Sequence, residues 1–154
     1  MSFYNNLETV TNKMAIMLLN NKDFAKYLKY TDDDPLSHED ISDPLALLND
    51  KFFLQPKPDQ LETEEGVIIE MFFGGDNPSR DSGGLFTEYV ITFNIMCNIS
   101  TWRLRGGMRP YRLLNIIDSS FNGKKIPLIS HTAIRPLGAK FVKFSDDWNG
   151  YKVA

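Results

Sequence analysis

The segment Thr87 to Ile117, TEYVITFNIMCNISTWRLRGGMRPYRLLNII, constrains the fold more than any other part of the chain. Its first half alternates. Tyr89, Ile91, Phe93, Ile95, Cys97 and Ile99 fall on one face, and Thr92, Asn94, Asn98 and Ser100 on the other, which is the period of a half-buried strand. The polar side is too hydrophilic for a second deep core, so one face is expected inside and the other at a wet surface or a modest interface. Read from Glu88 to Trp102, the strand has 15 residues. That is about 50 Å at roughly 3.3 Å per residue, where strands of about 5–6 residues are usual. A chain of 154 residues rarely needs such a strand for its own core, whereas an assembly that pairs neighbours can use the length. After Trp102 the joint RLRGGMR leads to Pro110, a good first helical residue. Leu113, Leu114, Ile117 and Phe121 then form a helical face, and Asn122–Gly123 is a stop signal.

Elsewhere the periods are shorter. Leu7, Val10, Met14 and Met17–Leu18 carry helical spacing over Asn5–Asn20. Asn20–Asn21 breaks it, and Phe24, Tyr27 and Leu28 mark a second short helix over Lys22–Tyr30, or one longer helix with a bend. Thr31–Asp43 is a loop by composition. Asp43–Pro44 suits an N-cap and first helical turn, with a short helix through Leu45, Leu47 and Leu48. From Gly66 the period becomes two, with Val67, Ile69, Met71 and Phe73 alternating with Ile68, Glu70 and Phe72. The stretch Gly74–Gly84 holds four glycines in eleven residues and joins this strand to the long one as a hairpin with an unusually long loop. Ile126–Ala133 reads as extended, Lys140–Ser145 as a strand, Asp146–Gly150 as a turn and Tyr151–Ala154 as the start of a last strand, which either pairs with a neighbour or is cut short at the end of the sequence. The sum is an α+β fold: an antiparallel sheet with a long β-hairpin over about 67–102, packed by an N-terminal helix and a short helix near 110–121. One domain, 1–154, is expected, with an acidic, loop-rich insert at about 31–65.

The net charge of −3 hides an asymmetry. Eleven acids between Asp32 and Glu65 face only Lys51 and Lys57, a net of −9. Between Arg103 and Lys125, six bases face Asp118 alone, a net of +5. The two segments meet within one subunit, or between neighbours where complementary fields set register, or remain two solvated surfaces. The single cysteine rules out an internal disulfide and any zinc site built on several cysteines. No apolar run is long enough for a membrane helix, and the N-terminus carries no secretory pattern. Synthesis in a reducing cytoplasm is expected.

No catalytic signature stands out, and none of the catalytic, cofactor or metal classes is expected. Cys97 with His131 would make a thiol nucleophile and base, but Cys97 shares its face with the apolar residues of the strand, and His131 falls in an extended segment. The aspartates after Thr31 fail the calcium-loop test, since the sixth and twelfth positions counted from Asp32 are Ser37 and Asp43 in place of glycine and glutamate. The glycine loop lacks the phosphate-loop order and reads as an arm with Arg80 and Asp81 at its tip. Arg103, Arg105, Arg109 and Arg112, with Trp102 and Tyr111 nearby, fit nucleic-acid contact, intersubunit ion pairs, or an ordinary basic surface.

In element order, and most specifically in the strand ending Cys97…Trp102 that runs into Arg109–Pro110–Tyr111 and a short helix, the chain resembles the neck proteins of tailed bacteriophages, the tail terminator, head–tail connector and tail-completion group. That resemblance implies a virion structural protein, assembled in the host cytoplasm, without enzymatic activity. It implies a ring of identical subunits, six or in some connectors twelve. The ring lies between portal or connector and tail tube, with genomic DNA passing through its lumen without sequence-specific binding and with no membrane contact. Arg80, Asp81, Arg103, Arg105, Arg109 and Arg112 are the residues expected at ring or tube contacts. The alternative function is a nucleic-acid-binding accessory protein using Arg103–Arg112.

Overall fold

The computed structural model describes residues 6–55, 66–78 and 87–154. Two N-terminal helices, α1 (Leu7–Leu19) and α2 (Lys22–Lys29), are separate. The Asn21 side chain accepts from Phe24 N at 3.0 Å and so starts α2 afresh. The apolar stripe of α1 goes inside as its spacing demands, with Val10, Met14 and Leu18 buried. The expected helix after Asp43 is a single 3-10 turn, Pro44–Leu47, and the Asp43 side chain makes no cap bond. Two further 3-10 turns lie at Pro35–Ser37 and Ile99–Thr101.

Strand β1 (Phe52–Phe53) lies parallel to β2 (Val67–Pro78), which forms a hairpin with β3 (Thr87–Asn98). A tiny ribbon, β4 (Arg103–Leu104) and β5 (Gly107–Met108), precedes α3 (Arg109–Phe121), and β6 (Ala139–Lys143) and β7 (Trp148–Val153) close the chain. The main sheet has the order β1-β2-β3-β7-β6 and is antiparallel except at β1. The fold is thus α+β, as the periodicity predicts.

Four expectations change. The long strand stops at Asn98, not Trp102. Asn98 Oδ1 accepts from Ser100 N at 3.0 Å and Ser100 Oγ at 2.8 Å, a side-chain turn that competes with the ladder. The segment around His131 is loop, not strand. The last strand begins at Trp148 and absorbs most of the expected turn. It lies inside the sheet between β3 and β6, so its partners belong to this chain.

The helices cover one face of the sheet. Val67, Ile69, Met71, Phe93, Ile95 and Cys97 pack there against α1, α2 and α3. The other face is not simply wet, because Phe53, Ile68, Met96 and Trp148 form a second, smaller core on it. The long alternation conceals this, since Met96 is its one large apolar residue on the polar side.

Gly150 lies where the backbone of β3 leaves no room for a side chain. A Cβ there would overlap the carbonyl oxygen of Ile95 in β3. Gly150→Ala therefore forces β7 away from β3, and a loss of about 2–3 kcal/mol is expected, as for other overpacked sites. A thermal melt should show it as a drop of roughly 5–10 °C; an unchanged melt would mean that β7 sits farther from β3.

Candidate functional site

The basic joint and the acidic loop meet within one chain. The two-residue turn of the β4–β5 ribbon holds Arg105, whose Nη1 lies 3.3 Å from Asp34 and Nη2 3.7 Å from Asp33. Its amide donates to the Asp33 carbonyl at 2.9 Å. His38 and Asp32 are 2.7 Å apart, with the His38 ring stacked on Tyr30. Asp40 lies between Lys22 at 2.6 Å and Lys26 at 2.9 Å, and those two ammonium groups hold its carboxyl below the usual range. The acidic loop is therefore tied down largely by its own chain.

Arg109 departs furthest from expectation. It is fully buried, at 0 % exposure, so it belongs to the interior and not to a contact surface. As the first residue of α3 it points under the end of α2. Its Nε donates to Thr101 O (2.7 Å), Nη1 to Tyr27 O (2.7 Å) and Tyr30 O (2.8 Å), and Nη2 to Asp32 O (2.6 Å). Burial lowers its pKa, and the nearby Cys97, Asp32 and Tyr27 act in the opposite direction. The other expected contact residues are scattered. Arg103 is exposed on β4. Arg112, exposed on α3, reaches back to Gly106 O at 3.1 Å. Arg80 and Asp81 lie outside the described residues.

Cys97 and His131 do not assemble a nucleophile. Cys97 is fully buried, and burial pushes its thiol up to about 12, against a smaller opposite effect of Arg109. A thiol so protonated is a packing residue at neutral pH. His131 is exposed on its loop. Among the described residues no cluster of His, Cys, Asp and Glu is arranged to hold a metal, and no helix is long and apolar enough to cross a membrane.

An aromatic ladder emerges that the sequence order hides. Trp102, Phe141, Tyr151 and Tyr111 follow one another at centroid distances of 6.4, 5.9 and 5.8 Å, from the turn after β3 across β6 and β7 to α3. Phe141 and Tyr111 remain 53 % and 52 % exposed, and Ile99 beside them 55 %. The Tyr151 hydroxyl donates to that of Tyr111 at 3.5 Å, the main cause of the raised Tyr151 pKa. The only local signal for this strip was the alternation through Phe141, since its members come from four separate elements. Long apolar surfaces of this kind are used for contact more often than for chemistry.

Two outcomes follow. Arg109→Met should cost about 3–5 kcal/mol in urea unfolding, because four carbonyls, all of them buried or partly buried in these bonds, lose their donor at once. Arg109→Lys should recover less than half, since an ammonium lacks the planar fork; a wild-type midpoint for either variant would refute this role. Native protein at mildly alkaline pH should resist alkylation at Cys97 and become reactive only in denaturant, and prompt labelling of the folded protein would show the thiol to be accessible.

Neither a curated protein nor a solved structure matches the chain. The YomW family model matches residues 21–154, a span that takes in every element above except α1, and the chain belongs to that family, whose name is of a phage-associated type.

Proposed function

We propose that this phage-associated protein is a structural component of the virion neck, forming a ring that terminates the tail tube or joins the tail to the head connector. The observation that carries this reading is the β2–β3 hairpin. Its two 12-residue strands pair from Val67↔Cys97 to Pro78↔Thr87. The rest of the sheet uses only part of that length: β7 pairs with Phe93–Asn98 and β1 with Ile69–Glu70. Among the described residues the outer half is a two-stranded ribbon, an arrangement that is marginal in water on its own. A chain gains from such an arm when a neighbour covers it.

In this reading the protein works without catalysis, by shape and by strand edges, and sits in the virion after assembly in the host cytoplasm. Its partners are copies of itself, six or twelve to a ring, the tail tube and the connector or portal, with the genome passing through the bore. The nucleic-acid alternative relied on Arg103–Arg112. It is weakened because Arg109 is internal and Arg105 is neutralised by Asp33 and Asp34.

Native mass measurement of the purified protein, alone and mixed with its tail tube or connector, tests the proposal. A closed oligomer of six or twelve chains in at least one of these conditions is expected. A protein that stays monomeric in all of them is not a ring component.

A further inference from the structure

A turn in the loop after α3 holds an apolar side chain in a costly backbone conformation and leaves it in water. The loop spans 124–134. Its neck is closed by two bonds of 2.9 Å, from Gly123 N to Ile134 O and from Ile134 N to Lys124 O. That is the form of an Ω-loop, a class that is often functional. Lys13 of α1 fastens the loop by donating to Pro127 O at 2.6 Å. At its tip Ile129 N donates to Ile126 O at 3.0 Å. Pro127 takes the second place of this turn and Leu128, at φ 69°, the third, a position that type II turns fill with glycine or asparagine. Ile126 is buried and Ile129 packs against the core, whereas Leu128 is 75 % exposed. A leucine here costs both backbone energy and hydration, so the fold alone does not call for it.

The surrounding charge says what this side chain can meet. From Ser119 to Ser145 the chain holds five lysines and arginines and no acid. Lys124 and Lys125 are exposed and have no ion pair among the described residues. From Tyr30 to Asp50 the pattern is the inverse, with seven acids and neither lysine nor arginine. Arg105, Lys22 and Lys26 hold some of those acids, but Glu39 and Asp43 are exposed without an ion pair among the described residues. Leu36 and Leu45 flank them in sequence, each 41 % exposed, in the two 3-10 turns that pack against α2. The two loops lie at opposite ends of α3. Arg109, its first residue, donates to Asp32 O, and the 124–134 loop follows its last. Thirteen residues at about 1.5 Å each set the ends about 20 Å apart. Within one copy the loops stay apart, whereas two copies placed end to end bring opposite signs together. A membrane surface fits less well, since one leucine offers less apolar surface than an acyl chain, which itself binds only marginally.

We propose that Leu128 of one copy seats on the surface around Leu36 and Leu45 of a second copy, with Lys124 and Lys125 pairing at short range with Glu39 and Asp43. The contact is head-to-tail along α3. Each copy offers the basic loop at one end and receives another at the other, and a rotation between successive copies closes the series. Exposed charge pairs add little strength, so the leucine carries the affinity and the charges select the end that receives it. This inference deepens the ring reading and rests on it.

Native mass measurement over a dilution series of the isolated protein decides it. Wild type is expected as an oligomer. Leu128→Gly suits the backbone at φ 69°, so its thermal melt should fall no lower than that of wild type, while the dissociation constant rises about tenfold or more. Leu128→Met keeps an apolar side chain and should associate like wild type. Lys124→Glu/Lys125→Glu alone and Glu39→Lys/Asp43→Lys alone should each weaken association at low salt. An equimolar mixture of those two variants should restore it, because every junction is then complementary. An oligomer indifferent to these changes overturns the loop contact and leaves the ring reading intact. A Leu128→Gly melt well below wild type makes the leucine a packing residue and overturns the contact as well. An isolated wild-type chain that is monomeric at every concentration also overturns it, and the ring reading then falls only if tail tube and connector fail to assemble it.

Discussion

Four backbone carbonyls converge on the Arg109 guanidinium, and the segments that supply them are otherwise remote in sequence. Tyr27 and Tyr30 end α2, Asp32 opens the acidic loop, and Thr101 closes the turn after β3. The last carbonyls of a helix lack intrahelical partners and favour a cation, so Arg109 serves as the external cap of α2. Burying a guanidinium is costly. Charge-assisted bonds of 2.6–2.8 Å to oxygens that would otherwise be stranded offset that cost. The geometry also fixes α3, whose first residue is the arginine, and the Arg109 amide donates to Trp102 O at 2.8 Å. The start of α3, the end of α2 and the exit of β3 are therefore one constraint.

That constraint sets what the sheet can expose. With α3 held against β3 and β7, its cover reaches Tyr151 through Tyr111 but leaves Phe141 on β6 half open. On the opposite face, Trp148 is buried with Phe53, Ile68 and Met96, while its indole N–H finds no partner among the described residues. An unpaired buried donor costs about 1–3 kcal/mol, which the packing of the large ring must outweigh. Gly150, two residues on, permits the close β3–β7 approach on which this smaller core depends.

The strands and helices were legible because their side chains report burial at a fixed period. Val67–Phe73 and Tyr89–Cys97 alternate, and the stripes on α1 and α3 repeat at helical spacing. What escaped was whatever depends on a contact far along the chain. Arg109 reads as one more surface arginine until the carbonyls of residues 27–32 are placed beside it. The end of β3 turned on the Asn98 side chain, a local signal overshadowed by the alternation continuing through Ile99. The aromatic strip escaped for a similar reason, because Trp102, Tyr111, Phe141 and Tyr151 share no period. The opposition of acidic and basic segments was visible, and what the sequence left open was whether they meet inside one subunit or across two.

Their meeting inside one chain changes the field that the chain projects. Arg105 is engaged by Asp33 and Asp34, and Asp40 by Lys22 and Lys26. Exposed pairs of this kind contribute little stability one by one, but they cancel much of the long-range field that the described part of the acidic loop would otherwise project. What this part of the surface can offer another molecule then lies in short-range hydrogen bonds and shape more than in a long-range field.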